Sequence, residues 1–199
     1  MRHESRSAVH PLSTTSTAYF LQGTAKKVRA HAVLGFLLGV LVFSLVGCGD
    51  DDRNETTIVA NLSGDQEVPP RQTGGSGTIT LNVDSQNQEI GYVLELRGQF
   101  TSPVQRAHIH FAGRGVNGSI FLFLCTNIVG EAPPTVPTPP ACPTGAGTVA
   151  GTLTATNFIP VTGLSTWGAA LNSILAGDTY ANVHSVTFPG GEVRGQIVP

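Results

Sequence analysis

Apolar and polar positions alternate along eight short runs in residues 57–199: Thr57–Leu62, Gly77–Val83, Glu89–Leu96, Gln105–Phe111, Ile120–Cys125, Thr148–Ala155, Thr179–Phe188 and Glu192–Val198. The runs are rich in Val, Ile, Thr and aromatic residues and are punctuated by Gly, Pro and Asn. This pattern predicts an all-β sandwich or barrel. Asn117-Gly118 predicts a tight hairpin between the fourth and fifth runs, and Pro189-Gly190-Gly191 joins the last two. The fifth run contains Phe121-Leu122-Phe123-Leu124 without polar alternation, so it is expected to be covered on both faces or to lie at a sheet centre. One segment departs from the strand rhythm. Leu164, Trp167, Leu171, Ile174 and Leu175 recur at helical spacing before Gly177, which predicts a short helix over Leu164–Ala176 across one end of the sandwich. Trp167 then reads as a packing residue.

The first fifty residues follow a different pattern. Residues 1–31 carry Arg2, Arg6, Lys26, Lys27 and Arg29 without apolar periodicity, and an unbroken apolar run follows from Ala32 to Val46. That run falls short of the roughly 20 apolar residues that span a bilayer. A basic flank, a short apolar stretch and small residues describe a secretory signal peptide. Leu45-Val46-Gly47-Cys48 resembles the lipobox of bacterial lipoproteins, in which the Cys becomes the first mature residue and carries lipid. The expected layout is a lipoprotein-type signal peptide with a long basic region over 1–47, lipidated Cys48 and an acidic tether over 48–56, and one domain over 57–199. The expected location is the bacterial cell envelope, on its periplasmic or surface face.

Removing the leader changes the charge balance. Both lysines go with it, leaving Arg53, Arg71, Arg97, Arg106, Arg114 and Arg194 against twelve acids. An acidic chain argues against nucleic acid, which requires basic surface. The expected partners are the membrane, through the lipid, and a protein or other envelope ligand that the residues do not identify. Cys125 and Cys142 remain in the exported part and are read as a disulfide closing a proline-rich loop. A metal site is the weaker reading of that pair, since neither Cys has a short-spaced Cys or His beside it.

The candidate chemistry lies on two of the runs. His108 and His110 share one strand face with Arg106, while Ala107, Ile109 and Phe111 share the other. By the same parity Tyr180, Asn182 and His184 share a face, as do Glu192, Arg194 and Gln196. If the first strand neighbours the last hairpin, these nine side chains converge. They could form a satisfied polar network in which Arg194 pairs with Glu192 or another acid. They could instead form a copper or zinc site using His108, His110 and His184 as neutral ligands.

Four motifs in order carry a family resemblance: Leu62-Ser63-Gly64-Asp65-Gln66-Glu67-Val68-Pro69-Pro70, Ala107-His108-Ile109-His110, Ala176 to His184, and Pro189 to Ile197. Together they resemble the CHRD domain, named after chordin and widespread in bacterial secreted proteins. The resemblance implies an immunoglobulin-like or superoxide-dismutase-like Greek-key β-sandwich. It implies no agreed biochemical activity; in chordin the domain belongs to a secreted antagonist of growth factors. The His-x-His spacing is similar to that of copper/zinc superoxide dismutases, but such an enzyme needs further histidines and an Asp for its second metal. The expectation is therefore a non-enzymatic binding or structural module with no required cofactor, and an extracytoplasmic copper- or zinc-binding protein is the alternative. Between the strand and Pro69-Pro70, Asp65 and Glu67 read as loop anchors rather than an acid pair. The leader reading has its own test: Cys48→Ser should abolish radiolabelled-lipid incorporation and membrane fractionation, and persistent labelling would contradict it.

Overall fold

The computed structural model describes residues 55–199. The signal peptide, Cys48 and nearly all of the acidic tether lie outside the described residues. Eight strands form two antiparallel four-stranded sheets, one in the order β1-β2-β3-β6 and the other β5-β4-β7-β8. They are β1 (Glu55–Leu62), β2 (Gly74–Asp84), β3 (Glu89–Gln99), β4 (Val104–Phe111), β5 (Ser119–Thr126), β6 (Gly147–Leu153), β7 (Thr179–Ser185) and β8 (Val193–Ile197). All eight expected runs are strands. The chain crosses between sheets from β3 to β4 and again from β5 to β6, and β6 returns beside β3. A strand that returns beside the start of its own excursion is the Greek-key connection. β1 begins two residues inside the expected tether, at Glu55.

The inner faces explain the alternation. Ile79, Leu81, Val83, Ile90 and Leu94 from one sheet meet Ala107, Ile109, Leu122, Val183 and Val193 from the other, all fully buried. Where β1 ends, Ser63 and Arg194 exchange backbone hydrogen bonds of 3.0 and 3.1 Å, so the β1 side of one sheet is tied to the β8 side of the other. β8 comes so close there that a side chain on Gly195 would lie 2.4 Å from the Asn61 carbonyl oxygen.

Two details differ from expectation, and a third decides between alternatives. The helix α1 runs Trp167–Ala176, starting three residues late because Thr166 caps it, its hydroxyl accepting from the Ala169 N–H, while Gly177 closes it in the left-handed region. Leu164 instead bridges to Val161 in the preceding turn. Trp167 is a packing residue whose indole N–H donates to the Gln88 carbonyl at 2.8 Å, fixing the helix to the β2–β3 turn. The Asn117-Gly118 pair is not a two-residue hairpin turn, since residues 112–118 all lie between β4 and β5. Gly118 is required there by close approach rather than by a left-handed backbone: an added Cβ would stand 2.0 Å from the Phe111 carbonyl oxygen. Of the two alternatives expected for β5, the covered one holds: the strand is at the end of its sheet rather than the centre. Two register shifts against β4 disrupt its alternation, and residues Phe121 to Cys125 are all buried.

The Cys125–Cys142 disulfide is present and closes the proline-rich loop. Within that loop the Asn127 side chain donates to the Val104 and Cys142 carbonyls, each at 3.1 Å, and accepts from the Cys142 N–H at 3.0 Å. The loop is thereby fastened to the start of β4. The β1–β8 junction gives a sharp packing test. Gly195→Ala should destabilise the domain by about 1–3 kcal/mol through overpacking, whereas Gly113→Ala, with nothing within 4 Å of its added Cβ, should be near neutral. Paired urea melts of the two variants check this.

Candidate metal centre

β4 and β7 are neighbours, and their register sets Arg106 opposite His184, His108 opposite Asn182 and His110 opposite Tyr180. β8 continues the row, with Arg194 opposite Asn182 and Gln196 opposite Tyr180. Cross-strand partners share a sheet face, and the opposite face carries Ala107, Ile109, Ala181 and Val183 into the core. The imidazoles therefore lie on the outer face of the β5-β4-β7-β8 sheet. They are nonetheless buried: His108 is 0 %, His184 5 % and His110 8 % exposed.

One nitrogen of each of these rings lies within 4.8 Å of the others. Two of the rings are held by carbonyls, which can only accept. Nδ1 of His110 donates to the Gly118 carbonyl at 3.0 Å, and Nδ1 of His184 donates to the Pro189 carbonyl at 3.0 Å. A neutral imidazole has one N–H, so Nε2 of each of these rings carries a lone pair. Nδ1 of His108 stands 3.2 Å from Nε2 of His184; in the metal-free protein it must be the donor. Nε2 of His108 and Nε2 of His110 are buried with no hydrogen-bond partner.

Burial keeps the rings neutral. Desolvation drives His108 down to about 2, reinforced by His184, His110 and Arg106. Desolvation lowers His184 to about 3, helped by Arg106 and His110 and opposed by the hydrogen bond to Pro189. Desolvation likewise lowers His110 to about 4, against the Gly118 hydrogen bond and with Arg194 adding to the fall.

The surrounding polar residues fix this arrangement. Arg106 donates through Nη2 to the same Pro189 carbonyl at 2.8 Å and through Nη1 to Glu131 at 2.6 Å. Glu131 also accepts from the Thr126 hydroxyl at 2.6 Å. Tyr180 stacks on His110 with ring centroids 4.7 Å apart, and its hydroxyl accepts from the Gly118 N–H at 3.2 Å. The Arg194 guanidinium covers the Tyr180 ring at 3.3 Å from its centroid. It also donates to the Asn117 side chain and to the Gly113 and Val116 carbonyls. Asn182 donates to Glu67. Gln196 donates to the Ala112 and Gly177 carbonyls at 3.2 and 2.9 Å.

Eight of the nine side chains named from strand parity are thus brought to one face. Glu192 is the exception, because it precedes β8 and parity does not extend to it. Its Oε1 accepts from the Thr101 N–H and hydroxyl and from the Thr73 hydroxyl, at the end of the other sheet. Burial would raise Glu192, but hydrogen bonds from Ser185, Thr101 and Thr73 outweigh that and leave it below the ordinary carboxylate value. Arg194 accordingly has no bond to Glu192; Glu67 is the acid whose charge it feels. Glu67 is a loop anchor, as its position before Pro69-Pro70 suggests. Desolvation raises it to about 7, against the nearby Arg194 charge and hydrogen bonds from Val68 and Asn182. Glu131, Phe123 and the carbonyls of Gly118 and Pro189 were invisible to the parity argument because they come from loops or from the irregular β5. Phe123 packs edge-on against His108 at 4.4 Å between centroids.

These shifts fix a pH dependence. Each histidine has a folded value below its ordinary 6.5, so the unfolded chain binds more protons and stability falls as pH drops below about 6.5. Glu67 has the opposite sign, because its folded value is raised and its contribution improves as pH falls from 7 toward 4.5. At about 1.4 kcal/mol per pH unit per group, three histidines against one carboxyl leave a net loss of up to about 3 kcal/mol per unit between pH 6.5 and 4.5. The thermal midpoint of the metal-free protein should therefore fall steeply from pH 7 to pH 5; a flat profile would contradict neutral burial of the rings.

Searches against curated proteins and solved structures find no match. A family model does match: the CHRD domain, over residues 58–197. The match runs from β1 to the end of β8 and takes in both histidine strands. The chain belongs to the CHRD-domain family.

Proposed function

We propose that this chain is a bacterial cell-envelope lipoprotein whose CHRD domain is a non-enzymatic module binding a copper or zinc ion through His108, His110 and His184. The observation that carries the reading is the orphaned Nε2 of His110, a lone pair buried without a partner in the three-histidine group. A purely structural network would leave its central groups satisfied. Arg194, Asn182 and Glu67 have partners; Arg106 Nε and Gln196 Oε1 are orphaned at the margin, and at the centre the Nε2 lone pair of His110 faces the other two rings without one.

The donor geometry supports the same reading. With Nδ1 of His110 and His184 committed to carbonyls, both rings present Nε2 to an ion, and His108 presents Nδ1. Two nitrogens bound to one ion at about 2.0–2.1 Å with tetrahedral angles stand about 3.3 Å apart. Nδ1 of His108 and Nε2 of His184 are 3.2 Å apart, so a metal would replace the proton between them, and the His110 nitrogen, within 4.8 Å, would move in as the third ligand. The carbonyl bonds act as orienting contacts behind the ligands. Catalysis is disfavoured by the donor set, which contains no carboxylate to serve as bridge or base. Lipid on Cys48 would hold the module at a membrane.

Metal-stripped full chain should take up one equivalent of zinc or copper, measured by elemental analysis after desalting. At one hundred times the dissociation constant the ion should add about 2.7 kcal/mol of stability. His110→Ala and His184→Ala should each abolish retention. A folded wild-type chain that retains neither metal would end the proposal.

A further inference from the structure

We propose that the three-histidine centre selects the cuprous ion over divalent metals, and that Arg106 is the residue that sets this selectivity. The inference rests on the metal-binding reading above and adds to it the charge of the ion.

The ligands bring no negative charge. The group comprises three imidazoles and no carboxylate or thiolate, so a bound ion keeps its full charge inside the protein. The nearby acids are already engaged: Glu131 by Arg106 and Thr126, Glu67 by Asn182, Glu192 by Thr73 and Thr101. The site is also poorly solvated, with rings at most 8 % exposed, Phe123 packed edge-on against His108 and Tyr180 stacked on His110. The cost of removing an ion from water rises with the square of its charge, so a dication suffers about four times the penalty of a monocation.

The fixed charges point the same way. Arg106 is the cross-strand partner of His184, and its Nη2 shares the Pro189 carbonyl with that ring. The guanidinium therefore stands between Glu131 and the histidines. Arg194 adds a second positive group behind Tyr180, whose ring stacks on His110. Both arginines repel a dication twice as strongly as a monocation, Arg106 through the part of its charge that its Glu131 pair leaves uncompensated. Ligand number agrees with this: three nitrogen donors satisfy Cu(I), whereas Zn(II) closes at four ligands and Cu(II) prefers a tetragonal set.

The test loads the metal-free full chain anaerobically with Cu(I) supplied as its acetonitrile complex, then exposes it to air. One copper per chain with no Cu(II) signal by electron paramagnetic resonance is the expected result. A stoichiometric Cu(II) signal, or displacement of Cu(I) by equimolar zinc sulfate, would overturn the inference while leaving metal binding intact. A chain that retains no metal would remove the metal-binding reading as well. Arg106 is tested by the ratio of Cu(I) to Zn(II) affinities, each from chelator competition. Arg106→Gln should narrow that ratio about tenfold, because a change in site charge weighs twice on a dication. Arg106→Lys keeps the charge and should preserve the ratio, even if loss of the forked hydrogen bonds weakens both affinities together. An unchanged ratio in Arg106→Gln would overturn the assigned role.

Discussion

Three imidazoles drawn out of water onto one sheet face must be held uncharged, and the outer surface of β4 and β7 is organised around that requirement. A buried imidazolium would need a carboxylate beside it, and none is in the group. Two of the rings instead donate their N–H groups to backbone carbonyls, which requires two loops to fold back over the sheet, and the third donates to His184. The β4–β5 connection supplies Gly118 to His110, and the β7–β8 turn supplies Pro189 to His184. Gly118 can take its place only because it has no side chain to meet the Phe111 carbonyl.

From that constraint the roles of the more distant residues follow. Arg106 anchors Pro189 and is itself fixed by Glu131, in the loop that the Cys125–Cys142 disulfide closes. A bridge on the far side of β5 thereby contributes to the orientation of His184. On the other flank, Arg194 ties together Tyr180, the 112–118 loop and the β1–β8 junction. Gly191 leaves room for the Glu67–Asn182 pair, since a Cβ there would stand 2.5 Å from Glu67. The motifs that mark the CHRD family thus meet in space: the Glu67 loop, the His-x-His strand, the Tyr180–His184 strand and the closing Gly-Gly-Glu-Val-Arg-Gly segment pack against one another.

The fold was largely legible because its strands alternate. Residues such as Ile79, Leu81 and Val83 bury one face and leave the other polar, and that periodicity survives without tertiary information. The histidine face was legible for the same reason, since parity places His108 and His110 together and the last hairpin fixes Tyr180, Asn182 and His184 beside Arg194. Parity failed where the chain is not a regular strand. Glu192 precedes β8 and turns to Thr73 and Thr101. Phe121 to Leu124 lose their alternation at two bulges. The Asn117-Gly118 pair closes a longer loop whose shape is set by Arg194 and by crowding at Phe111. The carbonyls that determine the histidine tautomers carry no side-chain signature, so no pattern of residue types could have revealed them.

The rings are neutral, and the tautomers of His110 and His184 are fixed by the carbonyls of Gly118 and Pro189. Long-range proton–nitrogen correlation spectra of the metal-free protein, labelled with nitrogen-15 at histidine, read this directly. An Nδ1-protonated neutral pattern is expected for His110 and His184, unchanged between pH 5 and pH 8. Imidazolium signals titrating near pH 6.5 at either position would contradict it.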